Sequence, residues 1–421
     1  MAAAKIRTEL VGAIALLALG FGLLQPGLVL LSVVLVTHLA IGMGLARPPG
    51  EPVLRASRRL SAPTLFEGDG LQIEVDLENL GPDLEVVALS DRMPAGFQLE
   101  EGSPSAIGPL PGGAKLSLRY AVRVRRGRYQ LPAVDVVAGD LLGYWNWQGR
   151  APCPETVVAM PRSQPLQGIG IGPRQTLAVP GTARARRGGS GTEWFGTREY
   201  QPGDPIRRIH RQALLRWGRL AVVEFEEEHA ADVMLVLDVR RPAYPDHGAE
   251  DLLDEAARAT ASLGDGFLLQ GHRVGLLFYG TYLNWVLPGY GRRHALRLRR
   301  ELARAALGTS AAFDRLGGLP VRLLRPGSQI VLISPLAAGD EEDLARLAAC
   351  GYQVMVVIPE PPSAAGGRDR PELTSASRLL ALERKSMVRR LRHAHIRPVV
   401  WHTAYPLFPQ LRAAWQRLPW R

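Results

Sequence analysis

Asp232-Val-Met-Leu-Val-Leu-Asp238 decides the fold class. Five consecutive apolar residues between two carboxylates show no alternation, so both faces of this strand must be covered. The same habit continues outward. Glu250 to Leu269 has the spacing of an amphipathic helix, and Arg273-Val-Gly-Leu-Leu-Phe-Tyr279 is the next strand. Leu283 to Leu287 returns antiparallel, and Arg292 to Ala306 is a basic helix. Gln329-Ile-Val-Leu-Ile-Ser334 and Gln353-Val-Met-Val-Val-Ile358 are further buried strands, with a helix over 340–349 between them. Apolar strands alternating with helices predict a doubly wound α/β sheet across 229–421. Residues 360–376, rich in Pro, Gly and Ser, read as an exposed loop, and 378–397 as a second basic helix. His393 and His395 belong to a solvated helix end, because no further ligand cluster stands beside them.

Upstream lies a block, 193–228, containing Arg198-Glu-Tyr-Gln-Pro-Gly-Asp-Pro-Ile-Arg-Arg-Ile-His210. Pro202-Gly203 is turn chemistry, with Gly where a positive φ is wanted. Asp204 suits an N-cap and Pro205 the first helical position, predicting a helix from Pro205 to about Leu215. Arg207 and Arg211 then share one face. Ala221-Val-Val-Glu-Phe-Glu226 reads as a strand. Between Arg184 and Glu228 nine arginines meet seven carboxylates, which fits either an internal salt-bridge lattice or an anion or partner site. Residues 163–192 are glycine-rich and read as a linker. Gly168-Ile-Gly-Ile-Gly172 lacks the spacing of a dinucleotide loop, and neither a P-loop nor a nucleophile elbow occurs.

Residues 48–162 have no long helical period. Leu71-Gln-Ile-Glu-Val-Asp-Leu-Glu78 and Leu116-Ser-Leu-Arg-Tyr-Ala-Val-Arg-Val124 alternate apolar and polar residues, with turns at Gly81-Pro82-Asp83 and Pro111-Gly112-Gly113. That is the pattern of an all-β, immunoglobulin-like sandwich. It offers no nucleophile or ligand cluster and reads as a spacer or contact module.

Residues 1–47 read as a transmembrane helical hairpin. No charge occurs between Glu9 and Arg47, and Gln25-Pro26-Gly27 divides the stretch into Leu10–Leu24 and Leu28–Ala46. Lys5 and Arg7 precede the first span, while Arg47, Arg55, Arg58 and Arg59 follow the second. Both ends are then expected in the cytoplasm, giving a multi-pass protein of the inner membrane with cytoplasmic soluble domains. His38 in the second span is a packing or interfacial residue.

The chain carries 51 Lys+Arg against 40 Asp+Glu, a net charge of +11, with ordinary apolar content of 46%. Disordered, collagen-like and disulfide-stapled classes are excluded. Lysine occurs only at Lys5, Lys115 and Lys385, so the surplus is arginine, spread through every segment. Cys153 and Cys350 cannot build a Cys-rich metal site.

Arg198-Glu-Tyr-Gln-Pro-Gly-Asp204, followed by Arg207, Arg208, Ile209, Ala213, Arg216, Leu220 and Glu224, resembles the signature of the bacterial DUF58 family. The pattern there runs approximately R-x-Y-x-x-G-D-x-x-R-x-I, then Trp, then A-R, then Leu, then an acidic strand. His210 stands where Trp is usual, and Leu215 where a small residue is. The hairpin, a sandwich with Arg126-Gly-Arg-Tyr129, Asp140-Leu-Leu-Gly143 (like a D-P-F-G element) and the last domain follow the family's order.

The order of elements after Asp232 also resembles a von Willebrand factor A-like domain. Such domains hold Mg²⁺ with a D-x-S-x-S loop, a Thr and a later Asp. Asp238 matches the first Asp and Thr309, in Gly308-Thr-Ser310, the Thr. Arg240 and Pro242 stand in place of the two serines, and Ile333-Ser-Pro335 offers Pro where the last Asp would come. A guanidinium and a ring without a hydroxyl cannot ligate a cation, so a degenerate metal site is expected. Asp238 is then a partner for Arg240 or Arg241, or a cap for nearby backbone.

The resemblance implies a membrane-anchored cytoplasmic adaptor working with a MoxR-type AAA+ ATPase in complex assembly or chaperoning. Arg198, Tyr200, Gly203, Asp204, Arg207, Arg208 and Arg216 are the candidate contact residues. No catalytic residue, cofactor or specific nucleic acid is expected; the lipid bilayer is. The alternatives are a hydrolytic enzyme built around Asp204 and Asp238, and a binder of anionic lipid or nucleic acid through the arginine-rich helices.

Overall fold

Side-chain alternation between Leu54 and Met160 builds one β region, and continuous apolar strands after Asp232 build an α/β region. The computed structural model describes residues 2–45, 50–166, 184–228, 231–280, 284–308, 315–320, 328–361 and 371–417. The chain folds as two compact units, Met1–Met160 and Pro161–Arg421.

The first unit opens with helices α1 (Ala2–Gly22) and α2 (Pro26–Leu45). Pro26 takes the first helical position of α2, where its missing N–H costs nothing. The sequence predicts two membrane spans. Among the described residues one helix segment, Pro26–Gly44, is long and apolar enough to cross a bilayer. In α1 the charges Lys5, Arg7 and Glu9 lie inside the helix, so its uncharged part, Leu10–Gly22, is only about 20 Å long. A hydrocarbon core is about 30 Å thick.

Nine strands follow: β1 (Leu54–Leu60), β2 (Thr64–Phe66), β3 (Gly70–Asn79), β4 (Leu84–Ser90), β5 (Phe97–Gly102), β6 (Ser105–Leu110), β7 (Lys115–Val124), β8 (Gly127–Gly139) and β9 (Asn146–Met160). They form two sheets, ordered β1-β3-β7-β5 and β2-β9-β8-β4-β6. Leu71, Ile73, Val75 and Leu77 on β3 face inward and pack with Val87, Leu89, Val134 and Val136 of the other sheet. The expected alternation is therefore what makes this core. A buried charge crosses it: the Arg58 guanidinium donates to Asp91 and to the carbonyls of Leu131 and Cys153.

The Asp140-Leu-Leu-Gly143 element holds the helices. Tyr144 Oη donates to Glu9 Oε2 at 2.7 Å, which with burial pushes its phenol up to about 12. Lys5 donates to the Leu142 carbonyl and lies 4.5 Å from the centre of the Tyr144 ring. A Cβ on Gly42 would fall 2.1 Å from that ring, so α2 needs glycine there.

The second unit begins with β10 (Arg184–Glu199), α3 (Arg211–Trp217) and β11 (Ala221–Glu228). β10 and β11 pair antiparallel as a two-stranded sheet. The predicted linker is thus a strand from Arg184 onward; backbone pairing, with register shifts around Gly188 and Gly189, needs no side-chain pattern. Gly168-Ile-Gly-Ile-Gly172 lies outside the described residues. Then come β12 (Asp232–Asp238), α4 (Ala249–Leu269), β13 (Arg273–Tyr279), β14 (Asn284–Gly289), α5 (Arg292–Leu302), β15 (Gln329–Ile333), α6 (Asp340–Ala349), β16 (Gln353–Glu360), α7 (Pro371–His393), β17 (Arg397–His402) and α8 (Leu407–Arg417).

They build a six-stranded sheet ordered β14-β13-β12-β15-β16-β17. β14 pairs antiparallel and the others parallel. Leu253, Phe267, Leu298 and Leu411 cover one face, against Leu235, Leu237 and Phe278. Leu344, Leu347 and Leu391 cover the other, against Val236, Ile330 and Val356. Each such buried side chain contributes roughly 1.5–3 kcal/mol. Strand order reverses between β12 and β15, which opens a crevice at the carboxyl ends of those strands. The loop expected at 360–376 ends earlier, because α7 already begins at Pro371.

Candidate functional site

β12 delivers Asp238 to that crevice, and the chain then turns back under tight backbone control. Val239 N–H donates to the Tyr279 carbonyl at 2.8 Å, Gly308 N–H to Val239 O at 3.0 Å, and Arg241 N–H to Gly308 O at 3.0 Å. Tyr244 Oη donates to Asp238 O at 2.7 Å. A Cβ on Gly280 would come within 2.8 Å of the Arg240 nitrogen, so glycine permits this close approach.

The Arg240 side chain therefore turns inward and is buried between two carboxylates. Its Nε and Nη2 donate to Asp238 at 3.0 and 2.8 Å. Its Nη1 and Nη2 donate to Asp340, the first residue of α6, at 3.1 and 2.6 Å. Ser334 Oγ donates to Asp238 Oδ2 at 2.6 Å and accepts from Leu336 N–H at 2.9 Å. Ala337 N–H donates to Asp340 Oδ2 at 2.8 Å. Leu336 takes a φ of +66°, a conformation this hydrogen-bonded loop holds in place. Burial opposes the charge on Arg240, but its hydrogen bonds to the Asp238 and Asp340 carboxylates outweigh it and drive its pKa further up. The Tyr279 ring lies 5.9 Å from the guanidinium carbon.

These residues do not fit a Mg²⁺ ion. The oxygens it would need already accept from one guanidinium, and Pro242 has no side-chain oxygen to give. Thr309 lies outside the described residues. Among the described residues no group of three His, Cys, Asp or Glu side chains is placed to hold a metal. Chemically, the arrangement supplies its own cation and latches α6 to the end of β12.

The signature block is built differently. Arg198 makes a two-pronged bond to Asp204, Nη1 to Oδ2 at 2.7 Å and Nη2 to Oδ1 at 2.6 Å. Gln201 N–H adds a third bond to Asp204 at 2.8 Å, and Gly203 takes a φ of +108°. Tyr200 N–H donates to Leu220 O at 2.9 Å. The predicted single helix does not form. Asp204 spends its carboxylate on Arg198 instead of capping, and Pro205 and Ile209 are extended around a 3₁₀ turn, Ile206–Arg208. Ile209 bridges to Val222, and only then does α3 begin at Arg211. Ala213 and Val222 are buried, while Ile206 and Leu215 are 80% and 85% exposed. Arg207, Arg211 and Arg216 are exposed beside them. The side chain of Arg208 lies outside the described residues.

Sequence reading thus finds Arg198, Gly203, Asp204 and Asp238, and the structure joins the first and third. It misses Asp340 and Ser334, which complete the Arg240 centre from about a hundred residues away; an acidic helix start after a strand ending in Ser-Pro is the one available signal. A groove of about 610 Å³ lies on the sandwich, lined by Arg59, Glu74 and Arg119. Arg59 and Arg119 both pair with Glu74 there, at 3.2 and 2.5 Å.

Residues 196–365 match the family described as "Protein of unknown function DUF58". The uncharacterized protein YeaD of Bacillus subtilis (strain 168) is 25% identical over 313 residues, covering 72% of this chain and 75% of that one. Among solved structures, the CARDB domain of a Pyrococcus furiosus protein is 10% identical at a TM-score of 0.19, covering 26% of this chain and 93% of its own. A non-cellulosomal cohesin from Archaeoglobus fulgidus is 15% identical at 0.18, covering 25% and 91%. At those scores neither bears on the function.

Proposed function

We propose that this protein is a membrane-anchored, non-enzymatic adaptor that offers its signature block to a protein partner, a MoxR-type AAA+ ATPase, during assembly or chaperoning of complexes. The observation that carries this reading is the exposed set Ile206, Leu215 and Leu220 beside Arg207, Arg211 and Arg216. Grouped exposed apolar residues mark contact surfaces, and arginine is favoured in them. The Arg198–Asp204 clamp fixes the shape of the turn that presents them. Asp204 and Asp238, the carboxylates a hydrolase would use, are each engaged by a separate guanidinium, which favours contact over catalysis.

The finer architecture follows the same reading. Two packed sheets, one of four strands and one of five, support an immunoglobulin-like sandwich. The order β14-β13-β12-β15-β16-β17, with Asp238 at the end of β12, supports a von Willebrand factor A-like domain whose metal site is degenerate. α1 acts as a second, short membrane crossing beside α2. Lys5 and Arg7 in the first turns of α1, with Arg47 and Arg55 after α2, support both ends facing the cytoplasm at the inner membrane.

The test uses full-length protein in detergent and a purified MoxR-type ATPase. Wild type should bind, and Ile206→Ser/Leu215→Ser and Arg207→Ala/Arg208→Ala should each bind at least tenfold more weakly. An ATPase that ignores the wild type, or binds all three alike, contradicts the proposal.

A further inference from the structure

The outward side of α5 has no role in the adaptor reading. Leu298 and Leu302 turn into the core. On the other side Arg292, Arg293, Leu296, Arg297 and Arg300 are exposed. None of these four arginines makes an ion pair among the described residues. The nearby acids are already held: Glu301 by Arg304 at 3.2 Å, and Asp265 by Arg299. On α7, Arg384 and Arg390 are paired to Glu360 and Glu341 at 2.7 Å each, while Lys385, Arg389 and Arg392 are exposed.

At the foot of α5 the surface becomes apolar. Leu287 and Tyr290 are 72% and 75% exposed, and Leu269, at the end of α4, is 80% exposed. They lie at one end of the sheet, since Val274 pairs with Gly289 and Arg273 donates to the Pro288 carbonyl at 3.2 Å. Unpaired guanidiniums beside projecting leucine and tyrosine match a surface that is anionic outside and apolar beneath. Nucleic acid or an acidic protein would satisfy the arginines but leave the leucines in water. The chain also carries its own helix fit to cross a bilayer.

We infer that the α5 face, with Leu269, Leu287 and Tyr290, docks on an anionic lipid bilayer surface. The inference rests on the membrane-anchoring part of the adaptor reading and adds a second, reversible lipid contact to it. Docking holds α5 against the headgroups, and salt releases it because exposed charges are screened.

The test is hydrogen exchange on the full chain reconstituted into phosphatidylcholine vesicles, with or without phosphatidylglycerol. With phosphatidylglycerol, amides from Gly289 to Leu296 should exchange at least threefold more slowly. The protection should vanish in high salt and in Arg292→Gln/Arg293→Gln/Arg297→Gln/Arg300→Gln, while exchange in β12 and β15 stays unchanged. Equal exchange in both lipids, with the chain floating on the vesicles, overturns the docking surface but leaves the anchor. A chain that floats with neither lipid overturns both. Protection by added nucleic acid or polyglutamate, and not by phosphatidylglycerol, assigns the face to another partner and also overturns the inference.

Discussion

Arg58 in the first unit and Arg240 in the second are both buried and both face aspartate, yet their surroundings differ. Arg58 has one carboxylate, Asp91 at 2.6 Å, with Tyr120 Oη sharing that aspartate at 2.9 Å. Its remaining bonds go to the carbonyls of Leu131 and Cys153, at 2.7 and 2.8 Å. The pair is neutral and ties one sheet of the sandwich to the other. Arg240 has two carboxylates, Asp238 and Asp340, a serine hydroxyl beside them, and a place at the strand ends where parallel sheets open a crevice. Two acids converging on one cation is the composition of a cation site. Here the cation is covalently part of the chain.

The comparison breaks or sharpens first on truncation. Removing one partner of a buried pair costs about 3–5 kcal/mol, because the other charge is stranded. Arg240→Ala strands two carboxylates and should lie at the upper end, about 5 kcal/mol. Arg58→Ala leaves Asp91 with the Tyr120 hydroxyl and should lie near 3 kcal/mol. Hydrogen exchange in β12 and β15, against β3 and β7, reads the two units separately within the full chain. Equal losses would erase the distinction between staple and site.

A pH effect of intermediate size should separate the units next. Burial lowers the His272 pKa from 6.5 to about 4, and its Nδ1 accepts from Ala231 N–H at 3.3 Å. The folded state keeps the ring neutral while the unfolded chain takes a proton below about 6.5. This contribution to stability is therefore full above pH 7 and is lost as pH falls from about 6.5 to about 4, by up to ~3 kcal/mol. His272→Gln should flatten that slope; an unchanged slope would move its origin elsewhere.

The smallest effect belongs to the signature turn. Arg198 is partly exposed, so water screens its pair with Asp204, and Arg198→Ala should cost only about 1 kcal/mol. It should be felt locally, as faster exchange at Tyr200 and Gln201 with β12 unchanged. A loss that reaches β12 would mean that the turn braces the sheet.

Legibility in the sequence followed how local the cause was. Asp232–Asp238, Arg273–Tyr279 and Asp340–Ala349 form where their apolar patterns place them, since periodicity alone demands burial on those faces. Arg198 and Asp204 are six residues apart across a glycine turn, so their pairing was within reach of the motif. β17 was not: Arg397-Pro-Val-Val-Trp-His402 has proline as its second residue, tolerable because the strand lies at the sheet edge. α3 starts late because pairing of Ile209 with Val222 outweighed the Asp-Pro helix signal. Asp340 and Ser334 reach Asp238 and Arg240 only after the sheet has formed, and no spacing encodes that meeting.

Thermal unfolding of full-length wild type and Arg240→Ala, each in EDTA and in millimolar Mg²⁺, tests the built-in cation most directly. Ligand binding to the folded state alone raises Tm. The wild type should not respond to Mg²⁺, while Arg240→Ala, with Asp238, Ser334 and Asp340 freed, should recover several degrees. A rise in the wild type, or no rise in the variant, would contradict the claim that Arg240 stands where a metal ion otherwise would.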